Sequence, residues 1–435
     1  MEKKLIFLEL NEINFDVVKE YISSGEKLES FEKIINRNFI HTSSEEEYEL
    51  LEPWIQWPSI HTGKKYEDHK IFRLGDIIKF KESQIFEEIE AQGFKVGALS
   101  PMNTENRLNN PSYFIPDPWT NTHSDNSFLS KTFTSVIRQI VNDNSESKIT
   151  FKSLIGLFLC FFFLVNPKKY FYLSYFALSS FKKSWRRALF LDLLLHEIHL
   201  KLLKRKKPNF STLFLNAGAH IQHHYFFNSK ANKSQNKNPS WYVPHQEDPI
   251  LEMLHIYDDI LESLLEIKDY QIIVATGLSQ NPHHKTTFYY RLKNHESFLK
   301  EFEITFEKVY PRMSRDFLIT FKNKHDAEEA EKKLKSFFVD NNIKLFSEIK
   351  KKDREIFLSL TYSQEINRDT KCTSDHKEFL LYEHVNFVAV KNGEHNSKGY
   401  AYFSEGLKNV IPEENSNICK INESIKKYFN SSVQL

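Results

Sequence analysis

The stretch NFSTLFLNAGAHIQHH (209–224) decides the fold. Its first half, 209–216, is an apolar run of strand length that leads straight into a segment with three histidines. There are two further strand-like runs. LIFLEL (5–10) is followed by polar residues, and DYQIIVATG (269–277) ends in glycine. PILEMLHIYDDILESLLEI (249–267) has the apolar spacing of an amphipathic helix. Strands that alternate with helices predict an α/β domain with a doubly wound, mostly parallel sheet.

The residues directly after these strands are the first candidates for a functional site. In open α/β sheets, ligands collect at the carboxyl ends of the strands. Three polar segments fall there: 11–12, 216–224 and 277–284. We therefore expect them to face one cleft.

The chain divides into a core, a cap and a small insertion. Three segments are expected to build the α/β core: 1–102, 206–315 and 364–435. Residues 103–205 are expected to form a loop and helical cap, because 103–150 are rich in Asn, Ser, Pro and Asp and the remainder looks helical. Residues 316–363 have the pattern of a small β-α-β-β subdomain, an α+β insertion.

Composition excludes several classes of protein. The 59 basic and 58 acidic residues leave a net charge of +1, which gives no electrostatic reason to expect a nucleic-acid partner. The three cysteines are far apart and odd in number, which is typical of neither a disulfide framework nor a CxxC metal site. The apolar stretch near the N-terminus, LIFL, is too short for a signal peptide. We expect a cytoplasmic protein.

The longest apolar run is LIGLFLCFFFLV (154–165). Its twelve residues fall short of the roughly 20 that a membrane-spanning helix needs. An aromatic segment (170–181) and four cationic residues follow it. We interpret the region as a buried cap helix; the alternative is contact with a membrane surface through 154–187.

The order of four motifs carries a resemblance to a known family. The motifs are LELNEINFD (8–16), EPWIQWPSIHTGK (52–64), NAGAHIQHH (216–224) and KNGEHNSKGY (391–400). In this order they resemble the alkaline phosphatase superfamily, and the first resembles its type I phosphodiesterase/nucleotide pyrophosphatase branch. The resemblance implies an α/β hydrolase whose strand ends assemble a two-metal site that acts on phosphate or sulfate esters.

One metal site keeps part of the pattern of the family. The Asp-x-x-Gly-His of the family becomes Asn216-Ala-Gly-Ala-His220, and the late histidine ligand corresponds to His395. At the first motif, Asn11 stands at the early aspartate and Glu12 at the glycine that follows it. Asparagine is a poor substitute for a carboxylate ligand, but the neighbouring Glu9 and Glu12 could supply charge.

The second metal site and the nucleophile are lost. Pro53 stands where the family has a nucleophilic Thr or Ser, and proline has no hydroxyl. The Asp-His pair of the family becomes Gly277-Leu278, although Gln280 and His283 follow closely. The resemblance therefore implies a degenerate metal site.

Three sets of site residues are expected. The acid/base groups would be Glu12, Glu52, His220 and His224, the last two sharing one helical face. Substrate would contact Trp54, Trp57, His223, Gln280 and His283, although packing at a helix N-terminus is an equal alternative for the two tryptophans. Asn11, Asn216, His220 and His395 would hold at most one divalent metal ion, zinc.

Two functions of different classes remain open. One is a divergent hydrolase or transferase that acts on a phosphate or sulfate ester or an anionic glycan, with a small-molecule or glycan substrate. The other is a pseudoenzyme, a binding or scaffold protein that kept the fold without catalysis. A site filled by Trp54, Trp57 and Leu278 would favour the pseudoenzyme.

Overall fold

The computed structural model describes residues 2–142, 151–312, 315–340, 342–375 and 377–431. By its internal contacts the chain forms two compact units. Unit 1 comprises Met1–Gln235, Pro239–Pro282 and Gly393–Leu435, and unit 2 comprises Asn236–Asn238 and His283–Asn392.

Strands and helices alternate through unit 1, whereas unit 2 contains mostly strands. The strands are β1 (Leu5–Leu10), β2 (Phe39–Ser43), β3 (Val96–Leu99), β4 (Tyr113–Ile115), β5 (Phe210–Leu215), β6 (Gln271–Ala275), β7 (Ser279–Leu292), β8 (Lys308–Pro311), β9 (Asp316–Thr320), β10 (Phe338–Val339), β11 (Ile343–Lys344), β12 (Glu348–Lys352), β13 (Glu355–Ser359), β14 (Lys371–Ser374), β15 (Lys377–Leu380), β16 (Val385–Asn396), β17 (Lys398–Phe403) and β18 (Ser416–Asn417). The α-helices are α1 (Phe15–Ser23), α2 (Glu29–Ile35), α3 (Pro53–Thr62), α4 (Tyr66–His69), α5 (Ile85–Ala91), α6 (Phe128–Asn142), α7 (Phe151–Leu164), α8 (Tyr170–Ser179), α9 (Arg186–Lys206), α10 (Ala217–Tyr225), α11 (Pro249–Leu265), α12 (His295–Glu301), α13 (Lys324–Lys335) and α14 (Lys420–Asn430).

An eight-stranded sheet forms the centre of unit 1, in the order β18-β2-β17-β6-β1-β5-β3-β4. The five strands from β6 to β4 pair in parallel, and β17 is antiparallel to both of its neighbours. The buried residues of β1 alternate between two apolar clusters. Ile6 and Leu8 pack on the side of α9, α10 and α11, whereas Leu5 and Phe7 pack on the side of α3, α5 and α14. The predicted doubly wound, mostly parallel α/β sheet is confirmed.

The register of the sheet brings the candidate motifs to one edge. Leu10 lies beside Leu215, and Glu9 lies beside Ala275, so the segments after β1, β5 and β6 leave the sheet together. Because β17 runs in the opposite direction, the residues that precede it lie at the same edge. Four segments that are distant in sequence thus meet at the carboxyl ends of the parallel strands.

The cap region contains more regular structure than the sequence indicated. Residues 103–150 were expected to be mostly loop, but they contain β4 and the helix α6, while 143–150 lie outside the described residues. Phe133, Val136 and Ile137 of α6 are buried at helical spacing. Polar residues between these apolar positions conceal the period. No helix in the described part of the chain is both long and apolar enough to cross a bilayer.

Unit 2 contains the β-α-β-β pattern expected for 316–363, as β9, α13, β12 and β13. It is larger than that segment, because α12 and the strands β14 and β15 belong to the same compact unit. Phe298 of α12 and Phe302, which directly follows this helix, pack against Phe337, and Phe302 also packs against Phe379 of β15. These aromatic contacts connect the insertion 316–363 to residues 283–315 and 364–392. The sequence analysis had assigned those two segments to the core.

Candidate functional site

Glu12, His223 and His395 form a compact group at the sheet edge of unit 1. The Glu12 Oε2 atom lies 3.2 Å from Nε2 of His223 and 3.2 Å from Nε2 of His395. The two Nε2 atoms are also 3.2 Å apart. Glu12 is buried, whereas both histidines are partly exposed. The three ligand atoms therefore form a nearly equilateral triangle that is accessible from solvent on the histidine side.

Backbone geometry aims Glu12 into this group. The residue follows β1 with a φ of 62°, in the left-handed region, and its N–H donates to the Thr276 carbonyl at 3.0 Å. Side chains other than glycine rarely adopt this conformation, and when they do so they often mark functional sites. Glycine is also the residue that the resemblance expects at this position. The carboxylate at the site therefore belongs to Glu12, one residue after Asn11, which stands at the position of the aspartate in the family.

Helix α10 presents His223, and not His220, to this group. Asp192 of α9 holds the N-terminus of α10, because its carboxylate accepts from the Ala217 N–H at 2.7 Å and from the Tyr257 hydroxyl at 2.6 Å. Burial raises the pKa of Asp192 to about 6. His220 is exposed and lies outside the three-residue group, so the structure does not bring it to His395 as expected.

The periodicity of α10 explains this difference. Residues four apart share a helical face, and the face that points to Glu12 carries Ala219 and His223. The Ala219 carbonyl accepts from Gln280 Nε2 at 3.0 Å, which fixes the rotation of the helix. His220 and His224 share the adjacent face, and their rings lie 4.7 Å apart. With three histidines in five residues, the sequence alone could not show which one faces the cleft.

His395 is held from two sides. Its Nε2 atom faces Glu12, and its Nδ1 atom lies 3.7 Å from the Glu52 carboxylate, an ion-pair distance that is too long for a hydrogen bond. Glu52 is the N-cap residue of α3 and is partly buried. Carboxylates commonly accept from the second ring nitrogen of a metal-ligating histidine and orient it. The expected site residues Glu12, Glu52 and His395 do converge.

Gln280 supports Glu12 from within the protein. Its Nε2 donates both to Glu12 Oε2 and to the Ala219 carbonyl. Gly393 passes directly behind it: a Cβ on this glycine would lie 2.0 Å from Gln280 Oε1 and 2.8 Å from the Gln222 carbonyl. Gln280 is fully buried, and its contacts hold the Glu12 carboxylate in place. Its substrate-binding role stays a prediction.

Asn11 and Asn216 meet beside the group but do not join it. Nδ2 of Asn11 donates to Oδ1 of Asn216 at 2.8 Å, and Oδ1 of Asn11 accepts from the Trp57 indole N–H at 2.7 Å. Each side-chain oxygen thus accepts one hydrogen bond, and neither residue belongs to the three-residue group. The metal-binding role of Asn11 and Asn216 stays a prediction.

The segment that begins at Pro53 is tightly packed. Trp57 and Leu278 have no exposed surface, so the structure favours the packing alternative for Trp57 over substrate stacking. Trp54 is partly buried, and its indole N–H donates to the Phe72 carbonyl at 3.2 Å. Gly277 has a φ of 72°, and a Cβ there would contact the Trp57 ring at 3.3 Å. Pro53 begins α3 as its first residue.

Two other candidates lie outside the three-residue group. Glu9, expected as a source of charge, points to the opposite face of the sheet, where its carboxylate lies 3.2 Å from the buried His61 ring. Strand alternation causes this, since Glu9 follows Leu5 and Phe7 on one face. His283 belongs to unit 2, where its Nδ1–H donates to the Lys285 carbonyl at 2.7 Å, so its substrate-binding role stays a prediction.

Charge and geometry both suit a cation at this group. Burial raises the pKa of Glu12, but the nearby His395 and His223 outweigh it and hold that pKa well below its usual range. Two ligands at 2.0–2.1 Å from one tetrahedral zinc ion lie about 3.3 Å apart, close to the 3.2 Å separations seen here. Two histidines and one glutamate also match a known catalytic zinc ligand set. Glu12, His223 and His395 could therefore hold a single divalent metal ion.

No protein-family model matches the sequence, and no curated protein matches it. Among solved structures, the chain is similar to phosphonoacetate hydrolase from Sinorhizobium meliloti 1021 in complex with phosphonoformate, with 12% identity and a TM-score of 0.43 over 98% of this chain and 96% of that chain. It is also similar to murine ectonucleotide pyrophosphatase/phosphodiesterase 5 (10% identity, TM-score 0.42, 100% and 96% covered).

A third similar structure is the alkaline phosphatase from the Antarctic bacterium TAB5, with 11% identity and a TM-score of 0.42 over 99% of this chain and 100% of that chain. All three belong to the alkaline phosphatase superfamily, which the motif order of this chain resembles. At these identities the similarity concerns the fold alone. Any statement about chemistry must come from the residues of this chain.

Proposed function

We propose that this protein is a divergent hydrolase or transferase that acts on a phosphate or sulfate ester or an anionic glycan. Its site would hold one zinc ion on Glu12, His223 and His395. The triangle of ligand atoms, 3.2 Å on each side, carries this proposal. We propose this set in place of the predicted set Asn11, Asn216, His220 and His395, with which it shares only His395.

A zinc ion with three protein ligands would supply a Lewis acid that polarises a phosphoryl or sulfuryl oxygen. Gln280 keeps the Glu12 carboxylate turned toward the histidines. Glu52 lies on the far side of His395 and can take up or release a proton at its carboxylate. With proline at position 53, the chain offers no hydroxyl nucleophile there, so we propose attack by water or by an acceptor substrate.

Metal analysis of the purified protein tests the site. We expect about one zinc per chain in the unmodified protein. His223→Ala and His395→Ala should each lose bound zinc, since two remaining ligands hold zinc poorly. His220→Ala is the matched control, because this histidine belongs to the same helix but lies outside the group. Zinc retained by His223→Ala and lost by His220→Ala would overturn this ligand assignment.

Turnover of aryl phosphate, phosphodiester and sulfate esters then tests the activity. We expect the two histidine substitutions to lower turnover by about 10²-fold or more, the scale on which loss of a positioned group acts. Protein that binds zinc but turns over none of these esters would contradict the hydrolase proposal.

The second candidate is a pseudoenzyme that binds ligands without catalysis. Its specific support is the packing of Leu278, which is fully buried where the resemblance places a histidine, and of the fully buried Trp57 against Gly277. The same assays distinguish the two, because a pseudoenzyme would bind a phosphate or sulfate ester in calorimetry with no product released. That result would favour binding over chemistry.

We also propose a cytoplasmic location. Cys160, Cys372 and Cys419 are all buried free thiols. Free thiols of this kind are typical of reducing compartments. Fractionation of the native cells tests this, and recovery in an extracellular fraction would contradict it.

A further inference from the structure

Helices α7 and α8 carry an apolar surface that faces away from the protein. Six large side chains of this surface are exposed: Phe158, Phe162, Phe163, Phe171, Leu178 and Phe181. Phe171 and Phe181 are 86% and 82% exposed. Large apolar groups are usually scattered singly on soluble proteins, and a contiguous patch marks an interaction surface. We call this set the α7–α8 aromatic face.

The opposite sides of the same helices already pack on unit 1. Cys160 and Leu164 of α7 and Leu173 and Phe176 of α8 are buried. Arg186 of α9 stacks on Phe176 and Tyr175, which ties α8 to the cap. The buried-helix interpretation of this region therefore holds for one face only. The apolar character of the other face needs a different explanation.

The charge around this face is one-sided. Residues 151–191 contain seven Lys and Arg residues and no Asp or Glu, in a chain whose net charge is +1. Lys183 and Arg186 form ion pairs with glutamates elsewhere in unit 1. The remaining exposed cations within the described helices and their connections are Lys168, Lys169, Lys182 and Arg187, and none forms an ion pair with a described residue.

We propose that the α7–α8 aromatic face docks onto a lipid bilayer that contains anionic headgroups. Exposed aromatic and leucine side chains would enter the interface, and the lysines at the junction between the helices and after α8 would meet lipid phosphates. This combination is typical of proteins that lie on a membrane. Helix α7 has 14 residues, about 21 Å, so it would lie on the bilayer and not span it.

Charge favours lipid over a protein partner. All charged side chains along 151–191 are cationic, and a cluster of cations beside an apolar surface matches an anionic bilayer. Juxtamembrane lysines and arginines contribute about 1 kcal/mol each near an anionic surface, which is about a fivefold change in affinity per residue. The inference does not depend on the proposed hydrolase activity.

Flotation of the full chain with vesicles tests the proposal. We expect binding to phosphatidylcholine vesicles that contain about a third phosphatidylserine, and weaker binding to phosphatidylcholine alone. Raising the salt concentration should weaken binding, because exposed charges are screened. The triple variant Lys168→Gln/Lys169→Gln/Lys182→Gln should bind roughly a hundredfold more weakly, and Phe171→Ser/Phe181→Ser at least about tenfold more weakly.

Matched controls come from unit 2. Lys344→Gln/Lys350→Gln/Lys352→Gln removes the same net charge from exposed positions, and Tyr310→Ser/Phe357→Ser removes two exposed aromatic rings. Both should bind as the unmodified protein does. Absence of vesicle binding, or equal loss in the control variants, would overturn the proposal. Self-association that Phe171→Ser/Phe181→Ser abolishes, without vesicle binding, would assign the face to a second copy of the chain and would also overturn it.

Discussion

The side-chain amide of Asn11 donates to the side-chain oxygen of Asn216 at 2.8 Å, and this bond joins the ends of β1 and β5. Both residues stand where the resemblance places an aspartate. Two amides satisfy each other without a cation, whereas two carboxylates at this distance repel unless a proton or a metal ion lies between them. The pair of replacements therefore removes the need for a cation at this point of the sheet edge.

A double-mutant cycle measures that relationship. Asn216→Asp alone keeps an acceptor for Asn11 and should alter stability little. Asn11→Asp alone keeps an acceptor for the Trp57 indole, but it loses the donor to Glu12 Oε1 at 3.2 Å and buries a second carboxylate beside Glu12, so it should lower stability. The double variant should be less stable than the sum of the singles by about 2 kcal/mol in urea unfolding at neutral pH. The coupling should shrink near pH 4, where the carboxylates share a proton. Additive effects at neutral pH would show that the two side chains do not meet.

The left-handed backbone at Glu12 makes a second prediction. Glu12→Gly and Glu12→Ala both remove the carboxylate, but only glycine adopts a φ of 62° without strain. Glu12→Gly should therefore be more stable than Glu12→Ala by about 1 kcal/mol in urea unfolding. Both variants should lose zinc equally. Equal stabilities would contradict the left-handed conformation at this residue.

The close approach of Gly393 to Gln280 leads to a third prediction. In Gly393→Ala the new methyl group would press on Gln280 Oε1 and on the Gln222 backbone, so Gln280 must move away from Glu12. We expect zinc affinity to fall about 10- to 100-fold, the range for lost supporting contacts around a metal site. Gln280→Leu should give a similar loss. Competition with a chelator measures both, and unchanged affinity in Gln280→Leu would show that this side chain does not position Glu12.

The buried Asp192 predicts a pH dependence. Its pKa is raised by burial to about 6, so the folded protein holds this proton more tightly than the unfolded chain, where the pKa is about 3.9. Its contribution to stability is full below about pH 4 and is lost as the pH rises to about 6, by about 3 kcal/mol in all.

Comparison with Asp192→Asn isolates this titration. The variant has no proton to lose at position 192, and other titrating groups are common to both proteins. Denaturant unfolding at intervals between pH 4 and 7 should show the stability of the unmodified protein falling relative to that of the variant. Parallel curves for the two proteins would rule out a raised pKa at Asp192.

The sequence predicted the scaffold because its core strands are long, apolar and regularly spaced. LIFLEL, STLFL and QIIVA appear as β1, β5 and β6, and their ends meet as the topology of parallel sheets requires. Helix α6 was missed because its buried apolar residues Phe133, Val136 and Ile137 are interspersed with polar ones, two of which, Ser130 and Thr134, are also buried. The extent of unit 2 was missed because the aromatic contacts of Phe298 and Phe302 join segments that are far apart in sequence.

The site was predicted in its location but only partly in its residues. The motif order pointed to Glu12, Glu52 and His395, which converge. The sequence could not distinguish His223 from His220, because the rotation of α10 depends on tertiary hydrogen bonds from Gln280 and Asp192. The left-handed backbone of Glu12 could have been predicted from the sequence, because the resemblance expects a glycine at this position.

The packing of Trp57 against Gly277 couples two positions at the sheet edge. A carboxylate at position 277 would have to adopt a left-handed backbone and displace the indole ring, which itself donates to Asn11. Any side chain introduced there would therefore disturb Asn11, and through it Asn216, before it could reach a cation. A single substitution at position 277 would thus lower stability without adding a usable metal ligand.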